Sequence, residues 1–147
     1  MTKAPHLLLV VAPYYAHLSA MLRDGAERAV AAAGATCETI TVPGAFEIPG
    51  AIALAAQSGE HFDGFIGLGC VIRGETTHYD HVCAESARGM QELALRGIPV
   101  GFGILTVENE AQALVRASPD GRDKGGEATR ACLALVALQR RFGGEER

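Results

Sequence analysis

The stretch FDGFIGLGCVIRGETTHYDHV, residues 62–82, decides the fold. Its first half is apolar, and Gly64–Val71 reads as a strand buried on both faces. Its second half turns abruptly polar and leads into a helical pattern over Tyr79–Arg96, closed by Gly97 and then Pro99. A buried strand, a polar loop and a helix make one β-α unit, and the rest of the chain repeats the scheme.

Leu7–Ala12 is continuously apolar and is followed by helical spacing over Leu18–Ala33, with Gly34 as its stop. Thr36–Val42 alternates and is β-branched, a second strand. After the Pro43–Gly44 turn comes a short helix, Ile48–Gln57, with Pro49 in its first turn. Val100–Thr106 reads as the fourth strand and Asn109–Ala117 as its helix. SPDGRD (118–123) is a polar turn, and Asp123 is placed to cap a closing helix over Lys124–Phe142. The end, GGEER, reads as frayed.

Regular alternation with apolar strands means an α/β fold, a parallel sheet covered by helices on both faces. Ligands in such sheets bind beyond the carboxyl ends of the strands. Each unusual cluster here follows a strand: Pro13–Tyr15, Pro43–Glu47, Arg73–His81 and Thr106–Glu110. The four loops are therefore expected at one edge.

Each cluster admits a functional and a structural reading. In RGETTH (73–78), Gly74 frees the backbone, and Thr77 with Asp80 has capping-box spacing. The helix start offers unpaired N–H groups to an anion, with Thr76, Thr77, Arg73 and His78 around it. The Glu75 carboxylate would repel phosphate, so only its N–H could serve. The plain alternative is an ordinary capped helix with solvated charges, and the Gly-Lys-Ser/Thr ending of nucleotide loops is missing. His78, His81 and Cys83 raise the thought of a metal-dependent hydrolase, but zinc needs three or four converging ligands and no second cluster supplies the rest. Glu47, between Phe46 and Ile48, could accept hydrogen bonds from sugar-like hydroxyls or simply favour a helix dipole. Tyr14 or Tyr15 could stack on a flat ring or pack on the following helix. Taken alone, Phe102 reads as core, Arg116 as a cation suiting a helix C-terminus, and Lys124 with Glu127 as a surface pair.

The chain's 147 residues suit one domain, with 48% hydrophobic and 20% charged residues as in a soluble globular protein. A net charge of −4 gives no overall basic signal for nucleic acid. Four separated cysteines without a CxxC pair suit reduced thiols in a cytoplasmic protein. The opening MTKAPHLLLVVAPYY has a short apolar run stopped by Pro13, a first strand rather than a secretory signal. No apolar segment approaches the roughly 20 residues of a membrane span.

VPGAFEIP (42–49), GCVIRGETTHYDHV (69–82), FGILTVENEAQALVRA (102–117) and DKGGEA (123–128), in this order, closely resemble the lumazine synthase family over nearly the whole chain. The resemblance implies a three-layer flavodoxin-like domain, residues 1–147, with a four-stranded sheet in the order 2-1-3-4. It implies a homopentamer, or a multiple of one, with sites between adjacent subunits. The implied reaction condenses 5-amino-6-(D-ribitylamino)uracil with 3,4-dihydroxy-2-butanone 4-phosphate, releasing phosphate and water, in the step before riboflavin. It needs no metal or redox cofactor. By the resemblance, Tyr14 stacks on the pyrimidine, and Ala45, Phe46 and Glu47 hold the ribityl chain and ring edge. Val71 and Ile72 bind the heterocycle through backbone groups, Gly74, Glu75 and Thr76 form the phosphate turn, and His78 transfers protons. From the neighbouring copy, Phe102 lies against the ring and Arg116 binds phosphate, supported by Lys124 and Glu127. Pro13, Tyr14 and Tyr15 depart from the basic residue, Phe and Asn that the family often has. That departure raises a second reading, a weakly catalytic flavin- or lumazine-binding shell of the same fold.

Overall fold

The structure, a computed structural model, describes residues 3–144. The last three residues of the expected frayed end lie outside that range, as do Met1 and Thr2 of the opening segment.

Four strands, β1 (His6–Val11), β2 (Thr36–Thr41), β3 (Gly64–Ile72) and β4 (Val100–Val107), form one parallel sheet in the order β2-β1-β3-β4. The helices are α1 (Ala16–Ala32), α2 (Ile48–Gln57), α3 (His78–Leu95), α4 (Glu110–Ala117) and α5 (Lys124–Gly143). A 3-10 turn, Ala45–Glu47, precedes α2. This is the three-layer flavodoxin-like arrangement expected.

Strand alternation divides the core in two. Leu7, Leu9 and Val11 of β1 face α1, α4 and α5, packing with Leu18, Leu22, Ala117, Cys132 and Val136. Leu8 and Val10 face α2 and α3, packing with Ile48, Ile52, Met90 and Leu93. With β2 and β3 on either side, every residue from Leu7 to Val11 is buried. This is why the run LLLVV tolerates no polar residue. β2, an edge strand, alternates but stays half-exposed even on its inward side.

The turn into α5 is set by DKGG (123–126). Asp123 takes a left-handed φ of 48° and its carboxylate accepts a hydrogen bond from the Gly126 N–H at 3.2 Å, so it caps the helix as expected. At Gly125 the backbone of α5 lies directly on that of α1, and a Cβ there would overlap the Leu22 carbonyl. The amino edge of the sheet is tied by Asp63. Its carboxylate accepts from the His6 N–H at 2.7 Å and lies 3.5 Å from Arg140, whose guanidinium also donates to the Lys3 carbonyl at 2.7 Å. Burial pushes the Asp63 carboxyl up, but the His6 N–H, His61 and Arg140 together hold it below its ordinary value.

Replacing Gly125 with Ala is expected to force α5 off α1 and to cost about 1–3 kcal/mol, the usual penalty of overpacking. Thermal unfolding checks this, and an unchanged midpoint would show that the two helices can part freely.

Candidate active site

The carboxyl edge is assembled from successive strand exits. At the first, the Ala12 N–H donates to the Leu68 carbonyl at 2.9 Å, carrying β1 past the sheet before the chain turns. Tyr14 and Tyr15 meet edge to face, with ring centroids 4.8 Å apart. They then divide. Tyr15 packs against the core, and burial, helped by Tyr14, Cys70 and Glu110, raises its phenol pKa. Tyr14 is 75% exposed, so it is the ring left free to stack.

At the second exit the 3-10 turn is closed by the Glu47 N–H donating to the Gly44 carbonyl at 3.1 Å. Buried Ala45 and Ile48 anchor it from below. Phe46 and Glu47 are thereby presented outward, with Phe46 56% exposed.

The third exit departs from expectation in two respects. Thr77 does not cap α3 with its side chain; instead the Thr76 hydroxyl accepts from the His78 N–H at 3.3 Å, and His78 is the first helical residue. Thr77 itself has helical φ and ψ, which leaves its hydroxyl out of capping position. Arg73 is engaged by acidic groups of the chain itself. Its Nε lies 2.6 Å from Glu108, its Nη1 3.6 Å from Asp80, and its guanidinium covers the Tyr79 ring at 4.4 Å. It joins the third exit to the fourth, where the Arg73 N–H also donates to the Val107 carbonyl at 2.9 Å.

The fourth exit is closed by a reciprocal cap. The Asn109 carboxamide accepts from the Gln112 N–H at 2.9 Å, and the Gln112 side chain accepts from the Glu108 N–H at 2.8 Å. The spacing Asn-x-x-Gln in ENEAQ signals such a cap.

The first three exits surround a cavity of about 700 Å³. Tyr14, Ala45, Phe46, Glu47, Val71 and Ile72 line it together with Gly74, Thr76 and His78. Glu75 is absent from the wall. Cys70 is present, but burial pushes its thiol up to about 11, which keeps it protonated and poorly nucleophilic at neutral pH.

Phe102, Arg116 and Lys124 are not there. They line a separate cavity of about 270 Å³ against β4, with Thr106, Arg122 and Glu127. Phe102 is 37% exposed, so the core reading of this residue fails. β4 is an edge strand, and Phe102 and Thr106 are its two exposed residues. Arg116 follows the dipole reading, donating from Nη1 to the Gln112 carbonyl of its own helix at 3.0 Å, and Lys124 pairs with Glu127 at 3.0 Å. Among the described residues, neither Glu47 in the larger cavity nor Arg116 and Arg122 in the smaller takes part in an ion pair. No three His, Cys, Asp or Glu side chains converge as metal ligands among the described residues, so His78, His81 and Cys83 do not form such a set. No helix among these residues is long and apolar enough to cross a membrane.

The profile of the family 6,7-dimethyl-8-ribityllumazine synthase matches residues 4–140. A 6,7-dimethyl-8-ribityllumazine synthase of Novosphingobium aromaticivorans is 59% identical over 92% of this chain and 96% of its own. Proteins of the same name from Erythrobacter litoralis and Sphingopyxis alaskensis are 57% and 56% identical, over 92% and 94% of this chain and 96% and 97% of theirs.

Since Arg73 fastens the third exit to the fourth, Arg73→Met is expected to speed amide hydrogen exchange across residues 74–77 several-fold. Exchange in β1 and β3 should not change. Equal exchange in the loop would show that these exposed contacts do not order it.

Proposed function

The chain belongs to the 6,7-dimethyl-8-ribityllumazine synthase family, and from that premise we infer how its two cavities carry out the family's reaction. The protein is a transferase of riboflavin biosynthesis. It condenses 5-amino-6-(D-ribitylamino)uracil with 3,4-dihydroxy-2-butanone 4-phosphate. The pyrimidine's amine attacks the ketone and loses water to form an imine. Phosphate then leaves, and the ribitylamino nitrogen closes the ring with loss of a second water.

The observation that carries the site assignment is the split between the cavities. The larger offers a free aromatic face (Tyr14), a carboxylate with no ion-pair partner among the described residues (Glu47) and an imidazole (His78), which suits a hydroxylated chain on a flat heterocycle. The smaller offers the cations, which suits the phosphate. One chain keeps them apart, so a complete site takes the larger cavity of one copy and the smaller cavity of its neighbour. In this reading Tyr14 stacks on the pyrimidine, and Ala45, Phe46 and Glu47 hold the ribityl chain. Val71 and Ile72 meet the heterocycle edge. Gly74, Glu75 and Thr76 give backbone and hydroxyl groups to the phosphate. The neighbour supplies Phe102 and Arg116, with Lys124 beside them.

Exposed apolar side chains, among them Leu54, Leu95, Val115 and Leu138, support assembly into a ring of copies, a pentamer or a multiple of it. The absence of a membrane-crossing helix among the described residues is compatible with a cytoplasmic site of action.

Most of the rate gain in such a condensation comes from holding two reactants together, since well-oriented partners behave as if at about 10⁵–10⁸ M. An imidazole has one nitrogen that donates and one that accepts, so His78 can pass protons in imine formation and elimination. Arginine stabilises charge on the departing phosphate.

His78→Ala is expected to slow turnover by about 10²–10⁴-fold, with assembly intact. Lumazine absorbance on mixing the two substrates measures this, and an undiminished rate would remove His78 as the proton carrier. Arg116→Ala should raise the apparent KM for the phosphorylated substrate far more than for the pyrimidine. An effect confined to the pyrimidine would make the phosphate assignment wrong. A wild-type protein that binds flavin tightly and turns nothing over would instead be a binding shell.

A further inference from the structure

We propose that Arg122 is a second phosphate-binding arginine of the smaller cavity, beside Arg116, and that it sets the preference for a dianionic phosphate ester. This deepens the functional reading above and rests on it.

Geometry fixes the backbone at Arg122 and does not leave it in a loose loop. The Ser118 carbonyl accepts from the Gly121 N–H at 2.9 Å and from the Asp123 N–H at 3.0 Å. The Arg122 N–H donates to the Val115 carbonyl at 2.9 Å. The turn is thus folded back onto the last turn of α4, the turn that carries Arg116. Gly121 lies so close that a Cβ would overlap the Val115 carbonyl, so only glycine permits this return. Arg116 and Arg122 are thereby delivered to one cavity wall from two backbone segments tied together.

Charge balance gives the reason for a second arginine. The cavity's charged lining is Arg116, Arg122, Lys124 and Glu127, three cations against one carboxylate. Lys124 and Glu127 are joined at 3.0 Å and largely cancel. Arg116 alone would leave a single positive charge. A phosphate monoester carries about −1.5 to −2 at pH 7. Arg116 and Arg122 together match it, and guanidinium groups suit phosphate by their planar, paired donors. A cation that served only the C-terminal dipole of α4 would also sit here, but it would affect stability and not discriminate between substrates.

The test uses the intact assembly and steady-state kinetics with both substrates, with inorganic phosphate as an inhibitor. Arg122→Met should raise KM for 3,4-dihydroxy-2-butanone 4-phosphate roughly tenfold, the scale of one charge-assisted contact. The inhibition constant of phosphate should rise in parallel, KM for the pyrimidine should hold, and Arg122→Lys should restore most of the loss. The proposal is overturned if neither phosphate-dependent constant moves. It is also overturned if both KM values rise together, or if the loss comes with a lowered melting point or a changed assembly mass. Arg116→Ala, measured alongside, separates the levels. If it raises KM for the phosphorylated substrate while Arg122→Met does not, only Arg122 loses its role. If neither variant does, the phosphate assignment of the whole cavity falls.

Discussion

Parallel pairing of four strands in the order β2-β1-β3-β4 is the constraint from which the site follows. Every strand points the same way, so every strand's exit lies on one edge and every return path is a helix on a face. The central strand must then be apolar on both sides, which Leu7–Val11 satisfies. Close backbone approach completes the packing. A Cβ at Gly101 would overlap the Ala128 carbonyl of α5, as one at Gly125 would overlap α1. With the helices held this near, the loops have little freedom, and short contacts such as Arg73 to Glu108 fix them further.

The same order leaves β4 as an open border, and this divides the chemistry. Glu47 belongs to the exit of β2, at the far side of the sheet from β4. A phosphate dianion beside that carboxylate would be repelled, by an amount that rises as water is excluded. The arginines stand on the β4 border, apart from Glu47 within one chain, and in the proposed shared pocket the neighbour's pair must offset that repulsion. In the proposed reading this separation also makes each copy incomplete. In the proposed ring, burial of apolar helix surface and completion of the site are one event, so a monomer would have neither its full stability nor a working pocket.

Much of this was readable from the residues. Apolar runs marked β1 and β3, and Asp123 marked the start of α5. Strand-exit clusters gave the edge where the larger cavity lies, and four motifs in register gave the family. The parts that were not readable depend on contacts distant in sequence. Phe102 sits in a strand and reads as core, because strand order alone reveals that its strand is an uncovered border. Thr77 and Asp80 have capping-box spacing, yet Asp80 lies 3.6 Å from Arg73 and Thr76 takes the helix N–H. Arg73 looked like an anion ligand because Glu108 is 35 residues away. Tyr14 and Tyr15 are equivalent in sequence and differ only because one ring reaches the core. Arg122 hid in a polar turn whose fold-back onto α4 depends on Gly121. The Asn109–Gln112 cap went unread, although its Asn-x-x-Gln spacing signals it.

Shared sites can be tested by mixing two variants that are each impaired for a different reason, His78→Ala in turnover and Arg116→Ala in KM, with the phosphorylated substrate held well below the raised KM. The assemblies are dissociated together, reassembled, and verified as mixed by native mass spectrometry. If neighbouring copies build each pocket, random pairing around a closed ring restores about a quarter of the sites, each with an intact His78 half and an intact Arg116 half. Verified mixed assemblies with no more activity than the separate variants would contradict a pocket built by two copies.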